Sequence, residues 1–419
     1  MHPLDQEINQ RCEQIKDQVI AWRRDIHQHP ELGNQEFRTS KLVAEHLRRI
    51  GVDEVYEGLA GGTGVLGILH GGEDGPIVGL RADMDALPIK EATGLPFASK
   101  ETSTWGDQGE VPVMHACGHD MHTAMLMGAA TVLCEMRAHL KGKVVFVFQP
   151  AEEGCSSDWE GKSGAARFIE EPVYMENRPE AFFGQHVWYY APPGTAGKIG
   201  CIPGIVGYNM DIIRITIHGQ STHGNRPWLG VDSIIAAAHV LTALQTIPSK
   251  NTNVYDNSVT VTMGMVKGGT KFNVVADTTV IEGALRFTDR TQRDYLESRF
   301  RDIVNGVSQS LGCTAEIEMT WVPALYNDPE LLEETKKKLD ETFGEGVFCL
   351  KKELSFANLD DYSWYTTESK GLFYGLSIVY DEDDPRESVA NHRPDFNPNE
   401  AALCNGVKVL VASALKYAN

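Results

Sequence analysis

The run at 144–148, Val-Val-Phe-Val-Phe, is unbroken β-branched and aromatic residue, the pattern of a strand buried on both faces rather than one with a wet side. A second run at 181–187 has the same character, and shorter apolar runs at 65–69 and 77–80 are bounded by Gly-Gly and Gly-Pro. Between them lie helical rhythms. Ile15, Val19, Trp22 and Ile26 share one helical face up to His29-Pro30, a second amphipathic stretch at 39–50 closes on Gly51, and 123–130 is apolar all round. Strands alternating with helices predict an α/β fold, a mixed and mostly parallel sheet flanked by helices. Ligands of such sheets bind beyond the carboxyl ends of the strands.

That pattern does not run through the whole chain. At 419 residues two domains are expected, and from about Pro203 the strands alternate apolar with polar residues. Strands at 211–218, 258–265, 278–287 and 314–319, with helices at 231–247 and 290–311, make a small α+β module inserted into the larger one. The expected division is 1–202 and 322–419 for the larger domain and 203–321 for the insert.

Composition narrows the class of partner. A formal charge of −20 without clustered Lys and Arg argues against nucleic acid. No apolar run is long enough to span a bilayer, and the N-terminus has no signal-peptide pattern. Eight cysteines without repeated spacing do not form a disulfide framework, so a reducing, cytoplasmic setting is expected.

The chemistry gathers at the predicted strand ends. Asp83 and Asp85 follow the 77–80 run, Glu152 and Glu153 follow 144–148 in Gln149-Pro-Ala-Glu-Glu-Gly, and His186 closes 181–187. The densest stretch is Met114-His-Ala-Cys-Gly-His-Asp-Met-His122, where Cys117 and His119 stand at the entrance to a helix. Thiolate and imidazole together favour zinc or another first-row divalent ion over magnesium or calcium. Adjacent buried carboxylates call for a cation, so that one can bind metal while the other moves a proton. Each element has a plainer reading: a solvated pair of glutamates, a hydrogen-bonded core histidine at 186, a surface turn at His392, helix caps at Asp83 and Asp85.

Taken together, Arg24-Asp-Ile-His-Gln-His-Pro-Glu-Leu, Arg81-Ala-Asp-Met-Asp-Ala-Leu-Pro, His115-Ala-Cys-Gly-His-Asp-Met-His and Gln149-Pro-Ala-Glu-Glu-Gly resemble metallopeptidase family M20. The likeness is to its amidohydrolase branch of aminoacylases, hippurate hydrolases and plant indole-acetyl-amino-acid hydrolases. It runs from about Arg23 to the C-terminal helix. By that resemblance Cys117 bridges two divalent metal ions, where the peptidase branch has aspartate, and His119, Glu153, His186 and His392 supply the other ligands. Zinc or manganese, and also cobalt or nickel, suit this donor set. Glu152 matches the general base and Asp85 the carboxylate that orients a ligand. Asp83 falls where the peptidase branch has a ligand histidine, and its role is left open.

The insert then corresponds to a lid that also pairs subunits, implying a homodimer or higher homo-oligomer. In it Ser221-Thr-His-Gly-Asn-Arg-Pro resembles the motif whose histidine, His223, steadies an oxyanion, and Phe272-Asn-Val-Val the one whose asparagine, Asn273, touches substrate. Arg226 is a candidate for a substrate carboxylate, and Trp228 and Trp159 favour a bulky or aromatic acyl group. The expected reaction is metal-assisted hydrolysis of an N-acyl-amino acid, with dipeptide or carboxypeptidase cleavage as the alternative. Two other readings are a Cys117–His119 thiol enzyme, which a chelator would spare, and a metal-binding protein without turnover.

Overall fold

A computed structural model describes residues 3–154, 162–189, 191–344, 347, 360–384 and 386–418. It divides into two compact units, the first formed by Met1–Val206, Tyr326–Phe356 and Asp360–Asn419, the second chiefly by Gly207–Leu325.

The first unit is built on a seven-stranded sheet in the order Glu54–Leu59, Gly64–His70, Lys141–Gln149, Glu73–Asp83, Ala181–Trp188, Lys370–Ser377, Ile199–Gly200. The four strands from Lys141–Gln149 to Lys370–Ser377 are parallel, and antiparallel pairs flank them on both sides. Val144 to Phe148 are wholly buried, as a strand covered on both faces requires. The mixed, mostly parallel sheet flanked by helices is the expected fold class.

Register sets where the side chains of interest emerge. Asp83 pairs with Gln149 at the carboxyl ends of adjacent strands, so the segments carrying Asp85 and Glu152 leave the sheet side by side. His186 pairs with Gly375 near the same end. Behind them the helix His119–Glu135 is buried nearly all round, because its sequence has no polar face to offer water. It packs between Pro3–Gln28 and Ala402–Tyr417. Gly128 permits that closeness: a Cβ there would stand 2.8 Å from a methyl of Val19 and 3.0 Å from one of Val407.

The second unit runs strand, helix, strand, strand, helix, strand, with a wholly antiparallel sheet ordered Val259–Gly268, Thr278–Phe287, Asn209–His218, Thr314–Val322. This is the split βαβ arrangement. Alternate residues Ile213, Ile215 and Ile217 meet Leu285, Phe287 and Phe300 in its core. The helix expected at 231–247 is shorter and broken, spanning Ser233–Leu244 and then Thr246–Lys250. Asp232 sets its start by accepting the N–H groups of Ile234 and Ile235, and Pro248 breaks it, since a proline ring clashes with the carbonyl four residues back, at Leu244. Among the described residues no helix is long and apolar enough to cross a membrane.

Candidate metal centre

Three segments converge beyond the strand ends of the first unit. Cys117 lies in the turn before the buried helix, where Gly118 is left-handed at φ 98°. The loop at 391–392 holds that turn: the His392 N–H donates to the Ala116 carbonyl at 2.7 Å, and the Asn391 amide donates to the Cys117 carbonyl at 2.7 Å. His392 is itself left-handed at φ 64°, a conformation that costs a non-glycine residue about 1 kcal/mol or more and persists where surrounding bonds over-determine it. The third segment is the Ala151-Glu152-Glu153 turn.

The Cys117 Sγ lies 3.4 Å from His186 Nε2 and 3.3 Å from His392 Nε2. Two donors bound to one tetrahedral ion with bonds near 2.0–2.3 Å sit roughly 3.5 Å apart, so these spacings are those of shared coordination. Donor atoms of Cys117, His119 and His186 lie within 4.8 Å of one another, and so do those of Cys117, Glu153 and His392. Cys117 is common to both groups. The expected ligand residues are thus brought together as two overlapping triads.

Hydrogen bonding at the far side of each ring shows which nitrogen faces inward. His186 donates from Nδ1 to the Val187 carbonyl at 2.8 Å, which leaves the Nε2 lone pair toward the sulfur. His119 Nδ1 meets the Asp85 carbonyl at 2.9 Å and its carboxylate at 3.1 Å. Its Nε2 is buried without a hydrogen-bond partner among the described residues. Glu153 Oε1 likewise lacks an aligned hydrogen bond although His392 Nε2 is 2.8 Å away. The buried, unpartnered Nε2 lone pair of His119 and the unsatisfied Glu153 oxygen fit a nearby cation, while the His392 side chain on the outer side is 52% exposed. Burial also pushes the Cys117 thiol up, so a thiolate here needs positive charge nearby. The donor set therefore fits divalent metal.

His122 provides the contrast. Its Nε2 accepts the Val187 N–H at 2.9 Å, so Nδ1 carries the proton and donates to Asp83 at 2.6 Å. Both nitrogens are used and neither is left for an ion. Asp83, whose role the sequence leaves open, also accepts Arg81 Nη1–H at 2.6 Å. Burial alone would raise the Asp83 carboxyl, but Arg81, His119 and His122 outweigh it and hold it well below the usual range.

Glu152 and Glu153 are driven apart. For Glu152, burial and then Asp360, Glu153 and Asp361 raise the carboxyl well above its ordinary value. For Glu153, burial pushes the same way, but His392 and His119 prevail and the net shift is downward. Two carboxyls with environments of opposite sign are suited to separate tasks, one as a proton carrier and one as an anionic donor.

Sequence reasoning did not single out the support beneath Glu152. The guanidinium of Arg81, fully buried, donates to Gln149 Oε1 at 2.9 Å and to Asp361 at 2.9 Å, with Asp360 at 3.3 Å. Glu152, Asp360 and Asp361 have oxygens within 4.8 Å of one another. The available signal was an arginine inside an apolar strand between Leu80 and Ala82, a position where charge must be paired.

In the second unit, His223 pairs with Val274, and the Gly224 N–H donates to the Asn273 carbonyl at 2.8 Å, so these two candidates are neighbours. The Asn225 N–H donates to His223 Nδ1 at 3.1 Å, which leaves the proton on Nε2. Arg226 and Trp228 are exposed, the latter by 74%. Trp159 lies outside the described residues.

Comparison with known proteins agrees with this architecture. Residues 79–416 match the model of peptidase family M20/M25/M40. The N-acetyl-L-cysteine deacetylase of Bacillus subtilis is 33% identical over 96% of this chain and 88% of its own length. The IAA-amino acid hydrolase ILR1-like 2 of Arabidopsis thaliana is 34% identical over 96% of this chain and 86% of its own. The crystal structure of Bacillus subtilis YXEP protein, a dinuclear metal binding peptidase from the M20 family, superposes with a TM-score of 0.74 at 30% identity, covering 97% of this chain and 99% of that one. With the fold, the motif order and the paired glutamates all accounted for, the chain belongs to peptidase family M20/M25/M40 and is a hydrolase of amide bonds.

Proposed function

We propose that this protein hydrolyses N-acyl-amino acids, with a preference for bulky or aromatic acyl groups, using two divalent metal ions. The observation that carries the reading is Cys117 standing in both donor triads with the up-shifted Glu152 beside them. Cys117, His119 and His186 would hold one ion, and Cys117, Glu153 and His392 the other. Such ions lower the pKa of water and polarise a carbonyl. Glu152 takes the proton of the attacking water and delivers it to the leaving amine, so that amide cleavage releases a carboxylic acid and a free amino acid.

Asp85 fixes the His119 tautomer from behind. His223, with its proton on Nε2, has the chemistry of an oxyanion donor. Asn273 and Arg226 are proposed to contact substrate, Arg226 through the amino-acid carboxylate. The second unit is proposed as a lid and a pairing surface for a homodimer, a reading supported by exposed Ile234, Ile235 and Val266. A cytoplasmic setting is supported by the free thiols of Cys12, Cys134, Cys201, Cys313 and Cys404.

The test compares Glu152→Gln with the parent protein, each loaded in turn with Zn, Mn, Co and Ni, on N-benzoyl and N-acetyl amino acids and on dipeptides. The variant is expected to bind both ions and lose on the order of 10² to 10⁴ in rate. Full activity in the variant would overturn the base assignment, and equal turnover of acetyl and benzoyl conjugates would overturn the acyl preference.

A further inference from the structure

Glu36 is fully buried at the N-cap position of the helix Phe37–Ile50, yet its side chain makes no cap. Glu31 serves that helix instead, accepting the N–H groups of Arg38 and Thr39 at 2.8 Å each. Glu36 is thereby released to reach away from its own helix. One oxygen accepts the Ala151 N–H at 2.9 Å and the other accepts the Thr63 hydroxyl at 2.5 Å.

Ala151 is left-handed at φ 49° and 3% exposed, so both its conformation and its buried N–H need external support. The next two residues are Glu152 and Glu153. Two residues on from Ala151, the Glu153 N–H donates to Asp85 Oδ2 at 2.9 Å. The turn is confined at its flanks as well, since a Cβ at Gly33 would stand 2.0 Å from the Gly154 carbonyl oxygen and one at Gly164 1.7 Å from that of Pro150. Two buried carboxyls, Glu36 and Asp85, thus each hold one peptide N–H of the same short turn.

We infer that Glu36 is a positioning residue for Glu152: through the Ala151 N–H it fixes the strained turn that aims Glu152 and Glu153 toward different tasks. This rests on the reading of Glu152 as the base. What the turn needs is an acceptor at the Ala151 N–H, which glutamine supplies and leucine does not.

The experiment uses the metal-loaded full chain and the variants Glu36→Leu, Glu36→Gln, Thr63→Val and Glu152→Gln. Glu36→Leu is expected to lower kcat on the order of 10- to 100-fold with KM little changed, and to weaken the binding of zinc, read by competition with a chromophoric chelator, on the order of tenfold. Glu36→Gln is expected to keep both within about threefold of the parent, because the acceptor survives. Wild-type kcat in folded Glu36→Leu, or equal damage in Glu36→Gln, overturns the inference. Should Glu36→Leu not fold, Thr63→Val decides: it frees the second Glu36 oxygen and is expected to lower kcat severalfold, and unchanged kcat there overturns the inference. Failure of the underlying reading looks different, since it appears as turnover in Glu152→Gln whatever Glu36 does.

Discussion

Asp85 grips His119 twice, through its carbonyl at 2.9 Å and its carboxylate at 3.1 Å from Nδ1, while its second carboxylate oxygen accepts the Glu153 N–H. Acceptors on the Nδ1 side keep the proton there and leave Nε2 with a lone pair. Asp85→Asn leaves the backbone carbonyl in place but can turn an amide donor toward Nδ1 in place of the carboxylate, which weakens the preference for that tautomer and so for a lone pair on Nε2. Affinity for the ion on the His119 side is expected to fall on the order of 10- to 100-fold, as measured by chelator competition. An unchanged affinity would show that the carboxylate does not set the tautomer.

A shared ligand and a private one differ in stoichiometry. Cys117 belongs to both triads, whereas His186 belongs to one and His392 to the other. Cys117→Ser replaces a thiolate by a hydroxyl that stays protonated, and is expected to weaken both ions together. His186→Ala and His392→Ala are each expected to leave one ion bound tightly. Elemental analysis after gel filtration reads the difference, and one retained ion in Cys117→Ser would argue against a bridging sulfur.

The strands and the densest candidate motif were legible for the same reason, each declaring itself within a few residues. Glu153, His186 and His392, by contrast, stand far apart in the chain and were assigned as ligands only by resemblance to the family. Val144 to Phe148 has no polar side to turn outward, and Cys117 and His119 sit together at one helix entrance. The limits of Ser233–Leu244 were less legible, because the Asp232 cap and the Pro248 break act against an apolar rhythm that continues through them. The support under Glu152 was illegible in another way. Arg81, Gln149 and Asp361 are distant in the chain, and only the parallel pairing of Asp83 with Gln149 and the return of the Asp361 segment bring them into one network. Glu36 was hidden by its place at a helix start, where an acidic residue ordinarily serves the helix itself.

Arg81 is the cation of that network. It is fully buried against Asp83, Asp360 and Asp361, and Asp361 is pushed up to about 7 by burial, with Arg81 pulling it down and Asp360 pushing it further up. Arg81→Met removes the only guanidinium facing these carboxyls among the described residues and leaves their charge unpaired. Breaking a buried pair from one side typically costs about 3–5 kcal/mol. A loss of that order is expected in urea unfolding of the metal-free protein. A loss below about 1 kcal/mol would mean that the carboxyls simply take up protons in place of the arginine.

His46 gives the fold a dependence on acid that is separate from the metal centre. It is 2% exposed, edge-on to Trp22 with ring centroids 4.6 Å apart. Arg49 donates to its Nδ1 at 2.9 Å, so the ring is neutral and donates from Nε2 toward the Met127 carbonyl at 3.2 Å and Thr131 Oγ1 at 3.0 Å. Burial is the main cause that lowers its pKa from 6.5 to about 4, with Arg49 adding to it and the Met127 bond opposing. Between those values the unfolded chain holds a proton on His46 that the folded chain refuses. Its contribution to stability is therefore full above about pH 6.5, declines as the pH falls, and levels off below about 4. The loss over that window is on the order of 3 kcal/mol. His46→Gln keeps a polar side chain without the titration, so its unfolding midpoint in urea should fall less steeply between pH 7 and pH 4 than that of the parent protein; parallel slopes for the two proteins would remove His46 as the cause.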